Sequence, residues 1–207
     1  MTTIIDYHAG NLTSVRLAFE AIGESVRISS DAGEIARATR LVFPGVGAAG
    51  SAMENLRALG LVGAIRDAVA AGTPFLGICL GTQILFERSE EDGGTECLGI
   101  LKGAVKRFVP RSHADKIPEM GWNQVRAVRK HPVFDGVADG TDFYFVHSFY
   151  PAPAESDDRV AETEYCGIAF ASSVGRGNLV ATQFHPEKSG EAGLRLLRNF
   201  AAWNGRL

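Results

Sequence analysis

The sequence predicts an α/β fold built on a mixed, mostly parallel sheet with flanking helices. Three observations carry that prediction. Short apolar runs at 2–6, 41–43 and 75–79 alternate with stretches of helical periodicity, the pattern of parallel βαβ units. The last of these runs leads into Gly77-Ile78-Cys79-Leu80-Gly81, which has the form of a sharp strand-to-helix turn. From residue 104 onward strand-like segments dominate until a helical pattern returns at the C-terminus, which implies an antiparallel extension of the same sheet.

Residues 2–6 are β-like and end in Asp6-Tyr7-His8-Ala9-Gly10-Asn11, a loop of turn formers. Over 12–22, Leu12, Val15, Phe19 and Ile22 recur on one helix face, and Gly23 is placed to end that helix. A second strand over 25–29, a short helix over 31–38 and the strand Leu41-Val42-Phe43 follow, then the loop Pro44-Gly45-Val46-Gly47. Helices are expected over 50–59 and 61–71, then the strand into Cys79 and a helix over 80–86. The acidic residues 89–94 read as an exposed loop. Strands are expected over 104–109, 122–128, 143–148, 168–173 and 179–183, the last two joined by a hairpin turn at Arg176-Gly177-Asn178. A helix over 190–203 closes the chain, with Ser189 as its N-cap, Leu194, Leu197 and Phe200 on its apolar side, and Gly205 beyond it. No linker or repeat divides the chain, so 1–207 is expected to be a single domain.

Composition narrows the function. At 207 residues and 45% hydrophobic, the chain can bury one good core. A net charge of −3 without a Lys/Arg stripe argues against nucleic acid as a partner. No apolar run approaches the ~20 residues that span a bilayer, and the N-terminus reads into a strand rather than a basic leader. Three scattered cysteines, Cys79, Cys97 and Cys166, suit neither a disulfide framework nor a zinc site. The expectation is a reduced, cytoplasmic protein without a metal or membrane.

Cys79 sits where the turn would lift its sulfur above the sheet edge and aim a helix N-terminus at it, which favours the reactive thiolate. A buried structural cysteine between loop glycines fits the same residues. A nucleophilic thiol needs a base, and five histidines compete for that role. His185 follows a strand and precedes Pro186-Glu187. Proline holds its neighbour extended, so Glu187 at i+2 projects to the same side and can orient the ring. A surface histidine beside an unrelated acid is the bland alternative. His131 and His113 lie in polar stretches and read as solvated. His147, in an apolar strand, reads as a core or site-lining residue, and His8 in the first loop stays unassigned. The Pro44-Gly45-Val46-Gly47 loop follows a neighbouring strand. With the Leu80 N–H it can supply backbone donors to an oxyanion, each contributing about 2.7–4 kcal/mol.

Taken together, Pro-Gly-Val-Gly at 44–47, Gly-Ile-Cys-Leu-Gly-Thr-Gln at 77–83 and Phe-His-Pro-Glu at 184–187 resemble the class I (triad) glutamine amidotransferases, in order and over essentially the whole chain. The resemblance implies that family's fold, with Cys79 as nucleophile, His185 as general base and acid, and Glu187 as orienting carboxylate. It implies an oxyanion hole at Val46, Gly47 and Leu80, and places the substrate glutamine against Gln83, His147 and Ser148. A narrower likeness runs through Asp6-Tyr7-x-x-Gly10-Asn11-Leu12, Met120-Gly121-Trp122-Asn123, Tyr144-Phe145-Val146-His147-Ser148 and Phe184-His185-Pro186-Glu187-Lys188-Ser189. These segments resemble the glutaminase subunits of imidazole glycerol phosphate synthase, although His8 stands where many of them carry glycine.

That narrower likeness implies glutamine hydrolysis through a γ-glutamyl thioester, with ammonia passed to a (β/α)₈-barrel cyclase subunit of a heterodimer in histidine biosynthesis. Asn11, Trp122 and Lys188 would face that partner, and no cofactor is implied. A core tryptophan, a helix cap and a solvated lysine are the plain readings of the same three residues. Rival functions are the glutaminase of another pathway, such as pyridoxal phosphate synthesis, a stand-alone γ-glutamyl cysteine hydrolase, and a non-catalytic scaffold.

Overall fold

The apolar runs become strands and the periodic stretches become helices, in an order close to that read from the pattern. The computed structural model describes residues 1–113 and 115–207. Its first half runs β1 (Thr2–Ile5), α1 (Leu12–Ala21), β2 (Val26–Ser29), α2 (Ala32–Ala36), β3 (Leu41–Gly45), α3 (Ala49–Ala58), α4 (Leu61–Ala70), β4 (Phe75–Cys79) and α5 (Leu80–Gln83). Then come β5 (Arg88–Ser89), β6 (Thr95–Glu96), β7 (Gly103–Arg107), β8 (Glu119–Ala127), β9 (Thr141–His147), β10 (Phe149–Pro153), β11 (Arg159–Tyr165), β12 (Ile168–Arg176), β13 (Leu179–Thr182) and α6 (Gly190–Ala202).

The main sheet has the order β2-β1-β3-β4-β13-β12-β11-β8-β9. Pairing is parallel from β2 to β13 and antiparallel from β13 to β9, so a parallel half carries an antiparallel extension. Alternation along the strands supplies two cores. Ile5 and Phe43 pack on one face with Leu56 and Ile65 from α3 and α4. Their neighbours Ile4 and Val42 pack on the other with Val15 and Phe19 of α1 and Leu197 and Phe200 of α6. A parallel sheet needs both faces covered in this way.

Several local expectations are corrected. The helix expected over 80–86 stops at Gln83. The Leu85 and Phe86 N–H groups bond three residues back, to the carbonyls of Thr82 and Gln83, and the carbonyls of Ile84, Leu85 and Phe86 accept N–H groups from residues 98–101. The acidic stretch is not simply exposed: Ser89 is fully buried in β5, and Glu91 bonds to the start of α3. The strand expected over 104–109 leaves the main sheet for a second, four-stranded one of order β10-β7-β5-β6. Ser189 occupies the N-cap position of α6 without capping it. Its hydroxyl donates to the His185 carbonyl at 2.6 Å and accepts the Tyr144 N–H at 3.0 Å, so it braces the turn that follows β13. His131 is buried rather than solvated. Its Nδ1 accepts the Val133 N–H, its ring packs edge-on against Trp203, and burial pushes its pKa down to about 4.

Candidate active site

Parallel pairing brings the C-terminal ends of β3, β4 and β13 together, because Gly45 lies beside Cys79 and Ile78 beside Thr182. Ligands of open α/β sheets bind at such strand ends. Cys79 has φ 53° and ψ −108°, a left-handed conformation that non-glycine residues rarely take and that surrounding structure must enforce. The enforcement is steric. A Cβ on Gly77 would sit 2.8 Å from the Gly81 carbonyl oxygen, and one on Gly81 would run into the Phe43 carbonyl oxygen. Both flanking glycines are therefore required for the turn to press against β3.

The nucleophile elbow opens into a pocket of about 340 Å³, lined by Val46, Gly47, Cys79, Leu80, Gln83 and His185 among others. His147 and Ser148 also line it. Every residue that the sequence placed in the triad, the oxyanion loop or the glutamine site thus converges here, with Glu187 immediately behind His185. His185 Nδ1 lies 2.7 Å from Glu187 Oε1, and both side chains are 2% exposed. Nδ1 therefore carries the hydrogen, and Nε2, which has no hydrogen-bond partner among the described residues, is the atom left for chemistry. Burial alone would push the imidazole down. The negative sulfur of Cys79 and the Glu187 carboxylate outweigh it and push His185 up to about 10.

Leu80 is the first residue of α5 and lines the pocket, and its N–H has no intrahelical acceptor. Across from it Val46 is 40% exposed and Gly47 has φ 94°, while the buried Tyr7 hydroxyl reaches the Val46 carbonyl at 3.5 Å. Three features in or behind the pocket escaped sequence reasoning. Glu91 is the one carboxylate among the lining residues. Gln183, fully buried, places Nε2 3.6 Å from the Cys79 sulfur. Glu119 lies behind His147, with Oε2 3.2 Å from Nε2, and accepts a hydrogen bond from Asn123. The strand period that predicted β13 does carry a signal for Gln183: a polar residue inside an apolar run, two positions before His185.

Two of the three residues expected at a partner face come together. Trp122 is 58% exposed and packs edge-on against Tyr144, and the Lys188 ammonium lies 5.7 Å over the same Tyr144 ring. Asn11 caps α1 by accepting the Ser14 N–H, and α1 packs against the turn that carries Glu187 and Lys188. His8 takes φ 63°, which accounts for glycine being the easier residue at that position. Among the described residues no cluster of three or more His, Cys, Asp or Glu suits a metal ion, and no helix is long and apolar enough to cross a membrane.

An elbow cysteine facing an imidazole that a carboxylate holds, on an α/β sheet, defines a cysteine-dependent acyl-transfer site. The model of the class-I glutamine amidotransferases matches residues 3–203, and the chain belongs to that family. It is 50% identical over 200 residues to "Imidazole glycerol phosphate synthase subunit HisH" of Dehalococcoides mccartyi (strain CBDB1), covering 97% of this chain and 96% of that protein. It is 51% identical over 197 residues to the protein of the same name in Moorella thermoacetica, covering 95% and 92%. Among solved structures, one described as a glutamine amidotransferase superposes with TM-score 0.74 at 18% identity, covering 97% of both chains, which shows the shared fold.

Proposed function

We propose that this chain, acting over 1–207 as one glutamine amidotransferase unit, is the glutaminase subunit of an imidazole glycerol phosphate synthase in histidine biosynthesis. The observation that carries the chemistry is the Cys79 sulfur facing an imidazole whose Nδ1 is fixed by Glu187. Identity near one half to synthase subunits over nearly the full length supports the pathway.

In this reading the Cys79 thiolate attacks the side-chain carbonyl carbon of glutamine. The S–C bond forms as the carbonyl π electrons move to oxygen. The Leu80 N–H and a backbone N–H of the 46–47 loop receive that oxyanion. As the carbonyl re-forms, the C–N bond breaks and the His185 Nε2 proton goes to the departing nitrogen, releasing ammonia and leaving a γ-glutamyl thioester. Neutral His185 then takes a proton from water, which attacks the thioester; glutamate leaves and the sulfur departs as thiolate. Gln83, His147 and Ser148 shape the glutamine site, and Glu91 offers a countercharge to the substrate's α-ammonium.

Ammonia passes to a (β/α)₈-barrel cyclase subunit bound at the face that holds Asn11, Trp122 and Lys188, in a cytoplasmic heterodimer. The test is to purify the chain alone and with a barrel subunit, then measure glutamate release and transfer of ammonia to the nucleotide product. The expected result is transfer only in the complex, and loss of both activities in Cys79→Ala. Glutamine hydrolysis that survives Cys79→Ala, or a complex that transfers no ammonia, overturns the reading.

A further inference from the structure

One backbone carbonyl fixes the orientation of the amides around the nucleophile. Phe149 C=O can only accept. Gln83 Nε2 lies 3.0 Å from it and His147 Nδ1 lies 2.7 Å from it, so both nitrogens present hydrogen to that oxygen. The second hydrogen of the Gln83 amide points at Gln183 Oε1, 3.0 Å away. With its oxygen engaged, Gln183 has only its NH₂ group to turn toward the Cys79 sulfur at 3.6 Å. A flipped Gln183 would set donor against donor at Gln83 and an oxygen against the sulfur.

We propose that Gln183 is a catalytic residue: its side-chain N–H stabilises negative charge on the Cys79 sulfur, and Gln83 with the Phe149 carbonyl locks that donor in place. The proposal rests on Cys79 being the nucleophile. The elbow gives this donor a task, because α5 has only four residues and its dipole is correspondingly small. Charge resides on the sulfur twice per cycle, before attack and when the thioester collapses. A donor fixed in a fully buried site acts at both moments without reorganising. The Val146 carbonyl, 3.9 Å from the sulfur, can only accept, and so serves the neutral thiol.

The test is alkylation of the full-length chain by iodoacetamide as a function of pH, with the label located by peptide mass spectrometry. Cys97 and Cys166 are buried, and burial pushes both thiols up, so they react slowly. Gln183→Met keeps the volume and removes the donor. Its Cys79 profile is expected to move up by about one pH unit, so that alkylation is about tenfold slower on the limb where the rate still rises with pH. Gln183→Glu is expected to move it further. A Gln183→Met profile that superposes on the wild type overturns the proposal. The wild type supplies a second measurement that needs no mutant to fold: the Gln183 side-chain amide resonance should move as Cys79 titrates and stop moving after Cys79 is alkylated. A resonance that does not move overturns the proposal as well. Retention of glutamine hydrolysis by Cys79→Ala is a different failure, because it removes the nucleophile itself.

Discussion

Glu91 Oε2 accepts the Ala49 N–H at 2.7 Å, tying the pocket's one carboxylate to the first turn of α3, just past the oxyanion loop. Burial pushes the Glu91 carboxyl up, and the Ala49 N–H partly offsets that, so the anion is held in place and partly desolvated. An α-ammonium group is the natural partner for such a charge. Glu91→Gln preserves an acceptor for Ala49 while removing the charge. KM for glutamine should rise about 10- to 100-fold with a smaller change in kcat, the scale of one charge-assisted hydrogen bond. Steady-state kinetics of the complex decide it, and an unchanged KM removes Glu91 from substrate binding.

That residue also marks the limit of what sequence could show. The β-α-β alternation, the elbow and the His185–Glu187 couple are local patterns, and all were legible. Cys79 and His185 meet because β13 inserts beside β4, a pairing across about a hundred residues that the order of motifs suggested but no spacing required. Glu91 looked like one of several loop acids, because its value lies in an N–H donated from a segment far along the chain. The second sheet was hidden for a similar reason: β10 carries Pro151 and Pro153, and β5 and β6 are two residues each, too short for any period to register. The helix from Leu80 was read too long because its apolar spacing continues to Phe86, while the Leu85 and Phe86 N–H groups turn to the carbonyls of Thr82 and Gln83, three residues back.

Glu187 should matter through His185 alone. Its carboxylate fixes the hydrogen on Nδ1 and, together with the Cys79 sulfur, keeps the ring protonated up to about pH 10 against the opposing effect of burial. Glu187→Gln removes one of those opposing charges, so the ring should lose its proton at lower pH than in the wild type. Glutaminase kcat should fall about 10²- to 10⁴-fold, the range for general acid–base catalysis. NMR titration of the His185 ring with kinetics on the same variant tests both halves. A ring that titrates as in the wild type would remove Glu187 from the triad.

Gly81 should tolerate no side chain. The Phe43 carbonyl oxygen occupies the space of its Cβ, and that oxygen belongs to the central strand β3, which cannot retreat cheaply. Gly81→Ala should therefore cost about 3 kcal/mol or more, or leave the chain insoluble. Gly63→Ala, where nothing lies within 4 Å on helix α4, is the control and should be neutral or mildly stabilising. Thermal unfolding of the two variants side by side gives the answer. Equal melting temperatures would mean that the elbow is far looser than its contacts imply.

His131 predicts how stability falls in acid. Burial holds its pKa near 4 against an ordinary 6.5, and the nearby Arg129 guanidinium adds to the effect. Between those values the unfolded chain binds a proton that the folded chain refuses, so unfolding gains free energy as pH drops. The contribution is fully present above about pH 6.5 and is lost progressively down to about pH 4, a total of about 3 kcal/mol for 2.5 units at 1.36 kcal/mol each. His131→Asn retains an oxygen that can accept the Val133 N–H but has no proton to gain in this range. Urea unfolding measured across pH 4 to 7 should show the wild type losing stability faster than the variant, the gap closing toward acid. A difference that stays constant over that range would mean that His131 takes up its proton in the folded chain as readily as in the unfolded one.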